Sequence, residues 1–480
     1  MTLSTKISRS SRTIGKFSPD ENWMGRRLRL MREWHLLVSR FAPHTPESPS
    51  IWRYSHPLRK EYPRQGWKIH VSGTPLNASQ ILRNILPILV GEIVFKIPRS
   101  LDELMKINSG ICYGYSQIGK FITVYPKDES EFTKLAARLD EATKIFESPD
   151  VPFDFHYAPR SCVHFRYGQF WMLSSDDSKS PILTAPDGTN EPDNRLLPEY
   201  VPSWSANPLK TSARTRPLTN GLFPDRYCIL KSIVQRGKGG IYTAMDMSNG
   251  EKVVIKEGRA SGEMDWNGCD GRDRIRNELT ALTELRRARV PVPKIWADFQ
   301  NDHNMYLVLE KLQGVTVQAL IDEHLSDLTV EECLRVGMNT ARIIARIHKA
   351  GWVWRDCKPA NLLIMPSGSV RAIDFEGARR VDHPSTLPWA SKGFAPPETG
   401  SGKMRASNLP EDLFALGVTL HFLFTGSLPD RTGKQARSVG VPRRLEKMIM
   451  RLLERRPEHR PSAAKVVSEL SSCLCELQRA

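Results

Sequence analysis

Residues 353–364 of this 480-residue chain are Val353-Trp354-Arg355-Asp356-Cys357-Lys358-Pro359-Ala360-Asn361-Leu362-Leu363-Ile364. Within this stretch, Asp356 supplies a carboxylate that can orient a hydroxyl, Lys358 an ammonium that can face a phosphate, and Asn361 an amide that can bind a metal ion. An apolar strand completes the stretch. This spacing predicts the catalytic loop of a phosphoryl-transfer site, and the fold prediction depends on finding the partners that such a loop requires.

Those partners occur in the expected order along the chain. The strand 371–375 ends in Asp-Phe, where the carboxylate of Asp374 can hold the Mg²⁺ that bridges nucleotide phosphates. Upstream, a β-branched strand ends in Lys256, which is expected to meet the phosphates and to pair with a carboxylate on the next helix. Glu278 is the carboxylate predicted for that pair. Together they predict a site for ATP, or another nucleoside triphosphate, with Mg²⁺.

Downstream motifs extend the pattern over roughly the second half of the chain. The residues from Ala395 to Glu398 stand where A-P-E closes an activation segment, and Asp412 and Arg460 follow among apolar helical sequence. In this order the motifs resemble those of the protein kinase family, and so many ordered matches argue against chance. The resemblance implies a bilobal kinase fold in which Asp412 braces the catalytic loop and Arg460 pairs with Glu398.

The sequence departs from the kinase pattern at several positions. Trp354 occupies the position of the His in H-R-D, and Glu376 that of the Gly in D-F-G. The glycine-rich loop is irregular, because Gly237, Gly239 and Gly240 do not fit G-x-G-x-x-G. Glycines lack Cβ and can still bring backbone N–H groups close to phosphate, so all three are predicted to bind nucleotide. No catalytic role is assigned to Glu376, and the departures are expected to affect regulation more than activity.

The composition is ordinary for a globular protein except for its positive charge. The chain has 69 Lys and Arg against 53 Asp and Glu, a formal net charge of +16, which favours anionic partners without choosing among them. Its eight Cys include no C-x-x-C pair, which indicates a reduced chain without a structural zinc site. No apolar run approaches the roughly 20 residues that cross a bilayer. We therefore expect a cytoplasmic protein with no membrane span and no specific nucleic-acid partner.

Composition and length divide the chain into four predicted segments. Residues 1–62 form a basic N-terminal segment, whose helical pattern from Trp23 to Phe41 is expected to cover the next domain. Residues 63–173 alternate between strands and helices, and residues 174–222 have the composition of a linker. Residues 223–480 carry the kinase motifs. The predicted fold class is α+β with two domains, an antiparallel-sheet domain followed by the bilobal kinase domain.

The strands predicted between residues 63 and 173 carry cations beside apolar neighbours. On one strand Lys68 and His70 share a face, and other strands carry Lys96, Lys120 and Arg166. For any single strand, a cation on the solvated side of an antiparallel sheet is the simpler interpretation. Taken together, the five side chains predict a basic pocket for a phosphate. Clustered cations there would lower the pKa of a Lys, which can act as a base only when it is neutral.

This region, from about Trp67 to Phe170, resembles the N-terminal lyase region of class III lanthionine synthetases. It contains their W-K-x-H-V-S and G-K-x-x-T-V-Y-P strings, and it lies directly upstream of a kinase, as it does in those synthetases. That lyase region is in turn similar to bacterial phosphothreonine lyases. The resemblance therefore implies an N-terminal domain that eliminates phosphate from phosphoSer or phosphoThr.

The resemblance also implies roles for the five basic side chains. Lys96 would be the base that removes the α-proton, and His70 the acid that protonates the departing phosphate. The other cations would hold the phosphate: Lys68, Lys120 and Arg166. Because the sequence gives no distances, Lys68 and Lys96 could exchange roles.

A kinase and a phosphate lyase in one chain imply a dehydration in two steps. Phosphorylation would turn Ser or Thr of a precursor peptide into an ester, and elimination would give dehydroalanine or dehydrobutyrine. Because the sequence stops after the kinase motifs, ring closure is expected to need a separate cyclase. Two alternatives stay open: a Ser/Thr protein kinase whose N-terminal domain only binds phosphopeptide or regulates, and a basic binding module attached to a pseudokinase. Retention of Lys256, Asp356, Asn361 and Asp374 argues against the pseudokinase.

Overall fold

The computed structural model describes residues 22–45, 50–57, 62–89, 91, 93–170, 182–209, 226–301, 303–324, 328–383, 385, 387–399, 408–429 and 441–479. Parts of all four predicted segments lie outside these residues. They are positions 1–21, 46–49 and 58–61 of the basic segment, positions 90, 92 and 171–173 of the segment 63–173, and positions 174–181 and 210–222 of the linker. In the kinase segment they are positions 223–225, 302, 325–327, 384, 386, 400–407, 430–440 and 480. No helix within the described ranges combines the length and the apolar character that a membrane crossing requires.

The N-terminal domain is built on one antiparallel sheet. Its strands are β1 (Trp52–Tyr54), β2 (Gln65–Val71), β3 (Val94–Pro98), β4 (Ile122–Tyr125), β5 (Phe155–His156) and β6 (Val163–Gln169). Its helices are α1 (Trp23–Phe41), α2 (Ala78–Leu89), α3 (Leu101–Ser109) and α4 (Glu129–Thr143). The six strands lie in the order β1-β3-β4-β2-β6-β5, and every neighbouring pair is antiparallel. The predicted antiparallel α+β domain is confirmed.

The two faces of this sheet differ because side chains alternate along each strand. Trp67, Ile69 and Val71 of β2 lie on the face that helices cover, and all three are buried in one core with residues of α1, α2 and α4. The ring of Trp67, for example, lies 5.8 Å from that of Phe132 on α4. The intervening residues of β2 therefore point to the opposite face, which carries the polar side chains of the domain.

Helix α1 covers the sheet domain as its sequence pattern predicts. Asn22 caps its first turn by accepting a hydrogen bond from the backbone N–H of Gly25 at 2.9 Å. Trp34, on the buried side of the helix, packs against Phe121 with ring centroids 5.4 Å apart. It also donates its indole N–H to the carbonyl of Pro98 at 3.2 Å. The residues predicted as a basic segment thus supply part of this domain's core, and through β1 part of its sheet.

A short hairpin lies in the segment predicted as a linker. Its strands are β7 (Ile182–Thr184) and β8 (Asn190–Pro192). Thr184 exchanges two hydrogen bonds with the side chain of Gln65 on β2, at 2.6 and 2.8 Å. This contact attaches the hairpin to the sheet, and the chain that follows β8 reaches the polar face of the domain.

The kinase small lobe follows as a five-stranded antiparallel sheet with one long helix. Its elements are β9 (Tyr227–Arg236), β10 (Gly239–Asp246), β11 (Glu251–Gly258), α5 (Gly271–Arg287), β12 (Ile295–Asn301) and β13 (Asn304–Glu310), in the strand order β12-β13-β11-β10-β9. Asp270 caps α5 and forms a reciprocal capping box with Asp273. The cap sets where α5 begins, and Glu278 lies two turns further on.

The large lobe is mostly helical. Its elements are β14 (Val315–Thr316), α6 (Val317–His324), α7 (Val330–Lys349), β15 (Trp352–Val353), β16 (Leu362–Ile364), β17 (Val370–Ala372), β18 (Arg379–Arg380), α8 (Leu409–Thr425), α9 (Arg443–Leu452) and α10 (Ala463–Leu477). Leu334 on α7, Leu416 on α8 and Leu470 on α10 are fully buried in one core. The predicted catalytic loop connects β15 to β16, and Asp374 lies just after β17. The predicted bilobal kinase fold is confirmed.

The two domains share a buried contact. Met264 and Trp266, in the segment that leads into α5, belong to the core of the N-terminal domain rather than to that of the kinase. Arg26 of α1 is itself buried and donates a hydrogen bond to the carbonyl of Trp266 at 2.7 Å. The segment before α5 is therefore held by the N-terminal domain.

Candidate active sites

The predicted catalytic loop, residues 353–364, is held in place by a buried carboxylate. Asp412 on α8 is fully buried and accepts hydrogen bonds from the backbone N–H groups of Trp354, at 2.8 Å, and Arg355, at 2.6 Å. Arg355 has a φ of 68°, which a non-glycine residue adopts only when its surroundings hold it there. The predicted bracing role of Asp412 is confirmed, and so is the pair between Arg460 and Glu398, at 2.6 and 2.7 Å.

The three polar side chains of the loop meet at one point. Asp356 accepts hydrogen bonds through Oδ2 from Lys358 Nζ at 2.8 Å and from Asn361 Nδ2 at 2.7 Å. Sequence reasoning missed Ser391, whose hydroxyl donates to Asp356 Oδ1 at 2.9 Å and accepts from Lys358 Nζ at 2.7 Å. A hydroxyl can therefore occupy hydrogen-bonding distance of both side chains at once. The only available signal for Ser391 was its place between Asp374 and Glu398.

A second group of charges links the small lobe to Asp374, which follows β17. Lys256 Nζ lies 2.9 and 2.7 Å from the carboxylate oxygens of Glu278 and 2.9 Å from Asp374 Oδ1. Burial would lower the pKa of Lys256, but the two carboxylates outweigh it and raise the pKa above its usual value, so the ammonium stays charged. The predicted pairing of Lys256 with Glu278 is confirmed.

The residues predicted to bind Mg²⁺ have the right donor chemistry. Asn361 uses its Nδ2 to donate to Asp356, which leaves its amide oxygen as an acceptor. Despite burial, Lys256 holds the pKa of Asp374 well below its usual range, so this carboxylate is ionised. A carboxylate and an amide oxygen are ligands that suit Mg²⁺.

The two departures from the kinase pattern have structural partners. Trp354 donates its indole N–H to the carbonyl of Asp374 at 2.8 Å and stacks on Phe375 with ring centroids 5.2 Å apart. The large aromatic ring thereby supports Asp374 and Phe375 from within the core. Glu376 forms an ion pair with Lys238 of the glycine-rich loop. Sequence reasoning did not foresee this pair, because its members are far apart in the chain.

The glycine-rich loop is in contact with the N-terminal domain. Gly237 donates its backbone N–H to the carbonyl of Ser109 at 3.0 Å, and a Cβ at Gly237 would lie 1.6 Å from the carbonyl oxygen of Asn108. Gly239 has a φ of +154°, and a Cβ there would lie 1.7 Å from the carbonyl oxygen of Glu257. Glycine is required at both positions because backbone approaches too closely for a side chain.

This contact leads to a prediction for Gly237→Ala. The added Cβ must push the glycine-rich loop away from Asn108, and the loop N–H groups that are predicted to face phosphate would move with it. Losing one such charge-assisted hydrogen bond costs about 1.5–3 kcal/mol, so the KM for ATP is expected to rise about 10- to 100-fold. Steady-state kinetics with varied ATP measure this.

Gly250→Ala is the matched control for this experiment. Gly250 lies in the turn after β10 with a φ of +74° and no atom within 4 Å of a Cβ. The substitution is expected to cost about 1–2 kcal/mol of stability without raising the KM for ATP. Equal KM values for the two variants would contradict a role of the interdomain contact in holding the loop.

The five basic side chains predicted in the N-terminal domain come together on the polar face of the sheet. Lys68 lies opposite Arg166 across β2 and β6, and His70 and Lys96 lie on either side of Thr123 of β4. Directly paired residues in antiparallel strands share a face. Lys120, in the turn before β4, reaches the same place and lies 3.5 Å from Asp154, which also contacts His70. All five are buried or partly buried.

Burial and mutual repulsion shift the pKa values of the three lysines. Burial, followed by the charges of Arg195 and Lys120, lowers the pKa of Lys96 to about 7. Burial also lowers the pKa of Lys68 well below its usual value, against the attraction of Asp193. The pKa of Lys120 is lowered too, chiefly by burial. Lys96 can therefore exchange its proton near neutral pH.

His70 and Asp154 form a buried pair. His70 Nδ1 lies 2.5 Å from Asp154 Oδ2. Burial lowers the pKa of His70 to about 3 although Asp154 opposes that shift, so the imidazole is neutral at pH 7. The carboxylate accepts the proton on Nδ1, which leaves Nε2 as the ring nitrogen that can exchange a proton with a ligand. A bound phosphate dianion would raise the pKa of His70 and favour its protonated, acidic form.

Three members of the pocket escaped sequence reasoning. Arg166 pairs with Asp193 at 2.6 Å, and Arg195 lies 3.7 Å from the other oxygen of the same carboxylate. Asp193 and Arg195 follow β8, inside the segment predicted as a linker. Asp154 lies in a loop of ordinary composition. No sequence pattern marks these three, because only folding brings them to the cations. The ring of Trp52 on β1 also lies 4.4 Å from Lys96 Nζ.

Comparison with protein families agrees with this architecture. The family model for the protein kinase domain matches residues 229–477, more than half of the chain, and the chain belongs to that family. The family model described as "RamC, N-terminal domain" matches residues 40–220. This range includes β1 and the β7–β8 hairpin in addition to the strands and helices predicted for residues 63–173.

Individual relatives show the same two parts. The chain is 29% identical over 368 residues to the probable SapB synthase of Streptomyces coelicolor. The aligned region covers 72% of this chain and 39% of that protein. The chain is also 27% identical to serine/threonine-protein kinase D of Synechocystis sp. over 51% of each chain. The chain thus spans between 39 and 51% of the length of these relatives. The predicted domain order is confirmed: an N-terminal domain that matches the RamC model precedes a protein kinase domain.

Proposed function

We propose that the protein is a dehydratase that phosphorylates Ser or Thr of a precursor peptide and then eliminates the phosphate. The observation that carries this proposal is the buried cluster of cations around a Lys whose pKa is about 7. Such a cluster suits a phosphate and provides a base that is half neutral at pH 7. It occurs in the same chain as the kinase side chains Lys256, Asp356, Asn361 and Asp374.

The kinase side chains can perform the first step. Asp356 orients the peptide hydroxyl, and Lys358 beside it faces the phosphoryl group that is transferred. Lys256, held by Glu278, contacts the nucleotide phosphates. Asn361 and Asp374 would hold Mg²⁺, which neutralises charge on those phosphates when it is bound. The glycine-rich loop, with Gly237, Gly239 and Gly240, would cover the nucleotide phosphates.

The polar face of the sheet can perform the second step. Lys96, when neutral, takes the α-proton, and the electron pair of that C–H bond becomes the Cα=Cβ double bond. The Cβ–O bond breaks, and the phosphate leaves with a proton from His70. Asp154 orients His70. The remaining cations hold the phosphate: Lys68, Lys120, Arg166 and Arg195.

The proposal is supported by the activities that appear in the names of two relatives, a synthase and a serine/threonine kinase. The relative from Streptomyces coelicolor is named a synthase, and its similarity to this chain extends over both domains. The other relatives are named serine/threonine kinases, and the similarity of kinase D covers 51% of this chain. By resemblance to class III lanthionine synthetases, the substrate class is a Ser- and Thr-containing peptide.

One observation favours the second candidate, a Ser/Thr kinase with a phosphopeptide-binding N-terminal domain. The pKa of His70 is about 3, so in the pocket without a ligand the proposed acid is not protonated at neutral pH. A direct experiment separates the two candidates. The protein is incubated with Mg²⁺, ATP and a Ser/Thr-containing peptide that it phosphorylates, and the products are analysed by mass spectrometry. A product lighter by one water per modified residue is expected, whereas phosphopeptide alone would favour the second candidate.

The pKa of Lys96 predicts the pH dependence of elimination. Since the neutral amine is the active form, the rate on a ready-made phosphopeptide rises with pH through about 7 and then levels off. Between pH 6 and pH 8 the neutral fraction, and with it the rate, increases about tenfold. A rate that levels off only near pH 10 would show that the base keeps an ordinary lysine pKa and would contradict the assignment. Lys96→Arg keeps the cation but cannot be neutral, and is expected to be inactive throughout this range.

A further inference from the structure

Three side chains with metal-binding groups lie together at the edge of the N-terminal sheet. They are Asp150, in the loop after α4, His156 on β5 and His164 on β6, and one ligand atom of each lies within 4.8 Å of the others. The two histidines are direct cross-strand partners, with ring centroids 4.5 Å apart. His164 is fully buried, His156 partly buried and Asp150 exposed. The group therefore opens from the interior of the domain towards solvent.

The hydrogen bond of His164 decides which of its nitrogens is free. Its Nδ1 lies 3.3 Å from the backbone carbonyl of Cys162, and a carbonyl oxygen can only accept, so Nδ1 carries the proton. Nε2 is then left with a lone pair. It is buried and has no hydrogen-bond partner. A buried acceptor without a partner is destabilising, and a bound cation would relieve that cost.

We propose that Asp150, His156 and His164 form a binding site for a divalent transition-metal ion of the zinc class. Two imidazoles and one carboxylate are ligands that Zn²⁺ and its neighbours in the periodic table accept, whereas Mg²⁺ and Ca²⁺ prefer oxygen ligands alone. Histidines that bind metals usually donate their second ring N–H to a carbonyl or carboxylate. His164 does so already, to Cys162.

The ion would connect three parts of the domain. Asp150 belongs to the loop between α4 and β5, His156 to the edge strand β5, and His164 to the neighbouring strand β6. β5 is only two residues long, so few backbone hydrogen bonds hold it to β6. A metal bond from His156 to His164 would strengthen this weak edge. The site is independent of the kinase and elimination chemistry proposed above, because none of its three residues has a role in either.

Cobalt binding provides the test. The full chain is stripped with a chelator and titrated with Co²⁺ in excess Mg²⁺, which occupies the kinase site. We expect one Co²⁺ per chain, with visible absorption bands of a site that has nitrogen and oxygen ligands. Zn²⁺ is expected to displace it and to raise the melting temperature. Strong near-ultraviolet bands from thiolate ligands would instead place the ion on cysteines and overturn the proposal.

Two variants and one control locate the ion. His156→Ala and Asp150→Asn alter partly buried and exposed side chains, so both are expected to fold, and each should weaken Co²⁺ binding at least tenfold. His35→Ala removes an exposed histidine of α1 in the same domain and should leave binding unchanged. Melting curves without metal verify that the variants are folded. Unchanged Co²⁺ affinity in folded His156→Ala, or no binding by the parent protein at stoichiometric Co²⁺, would overturn the proposal.

Discussion

Asp356→Asn is expected to lower phosphate transfer from Mg²⁺-ATP to the peptide about 10²- to 10⁴-fold, the usual contribution of a positioned general base. The amide keeps the size of the carboxylate but cannot accept a proton from the hydroxyl. The fold is expected to survive, because the loop backbone is held by Asp412 rather than by Asp356. Transfer is measured with radiolabelled ATP, and folding by the melting temperature of the variant.

Asp374→Asn tests the other half of the same site. Replacing this carboxylate removes the charged ligand proposed for Mg²⁺ and one of the two carboxylates that contact Lys256. Asp382→Asn is the matched control, because Asp382 lies in the same activation segment with an exposed side chain. It should transfer phosphate at the parent rate. If Asp356→Asn and Asp374→Asn also do so, the kinase assignment is wrong.

The sequence was sufficient where function depends on short, ordered motifs. The spacing of Asp356, Lys358 and Asn361 predicts that they meet, because one turn of chain carries all three. The pairing of Lys256 with Glu278 and that of Arg460 with Glu398 follow from the resemblance to kinases, and the structure contains both. Alternation along β2 likewise predicts that Lys68 and His70 share a face, since side-chain direction in a strand is a local property.

Other contacts depend on folding and leave no local pattern. Asp154 and Asp193 could not be predicted, because each approaches the cations from a loop. Acidic residues are common in loops, so their presence in the sequence does not indicate a contact. The pair between Lys238 and Glu376 joins residues 138 positions apart. The contact of Gly237 with Ser109 crosses between domains. Each of these contacts results from the placement of whole elements, which hydrophobic periodicity does not specify.

The largest effect on the second step is expected for Lys96→Ala and His70→Ala. Both variants retain every kinase side chain, so they should phosphorylate the peptide at the parent rate. Neither should complete elimination, because one lacks the base and the other the acid, and phosphopeptide should accumulate. A loss of about 10²- to 10⁴-fold in elimination corresponds to one missing acid or base. Mass spectrometry distinguishes the phosphopeptide from the dehydrated peptide directly.

A ready-made phosphopeptide without nucleotide isolates this second step. The parent protein should convert it to the dehydrated product, while Lys96→Ala and His70→Ala should not. Lys134→Ala, which removes an exposed lysine of α4, is the matched control and should retain full elimination. Lys96→Arg adds a finer distinction, since it keeps a cation that can bind phosphate but lacks a neutral amine at any pH used. It should bind the phosphopeptide and leave it intact. A parent protein that also leaves it intact, while its kinase turns over on the same peptide, would mean that the polar face only binds phosphate, as in the second candidate function.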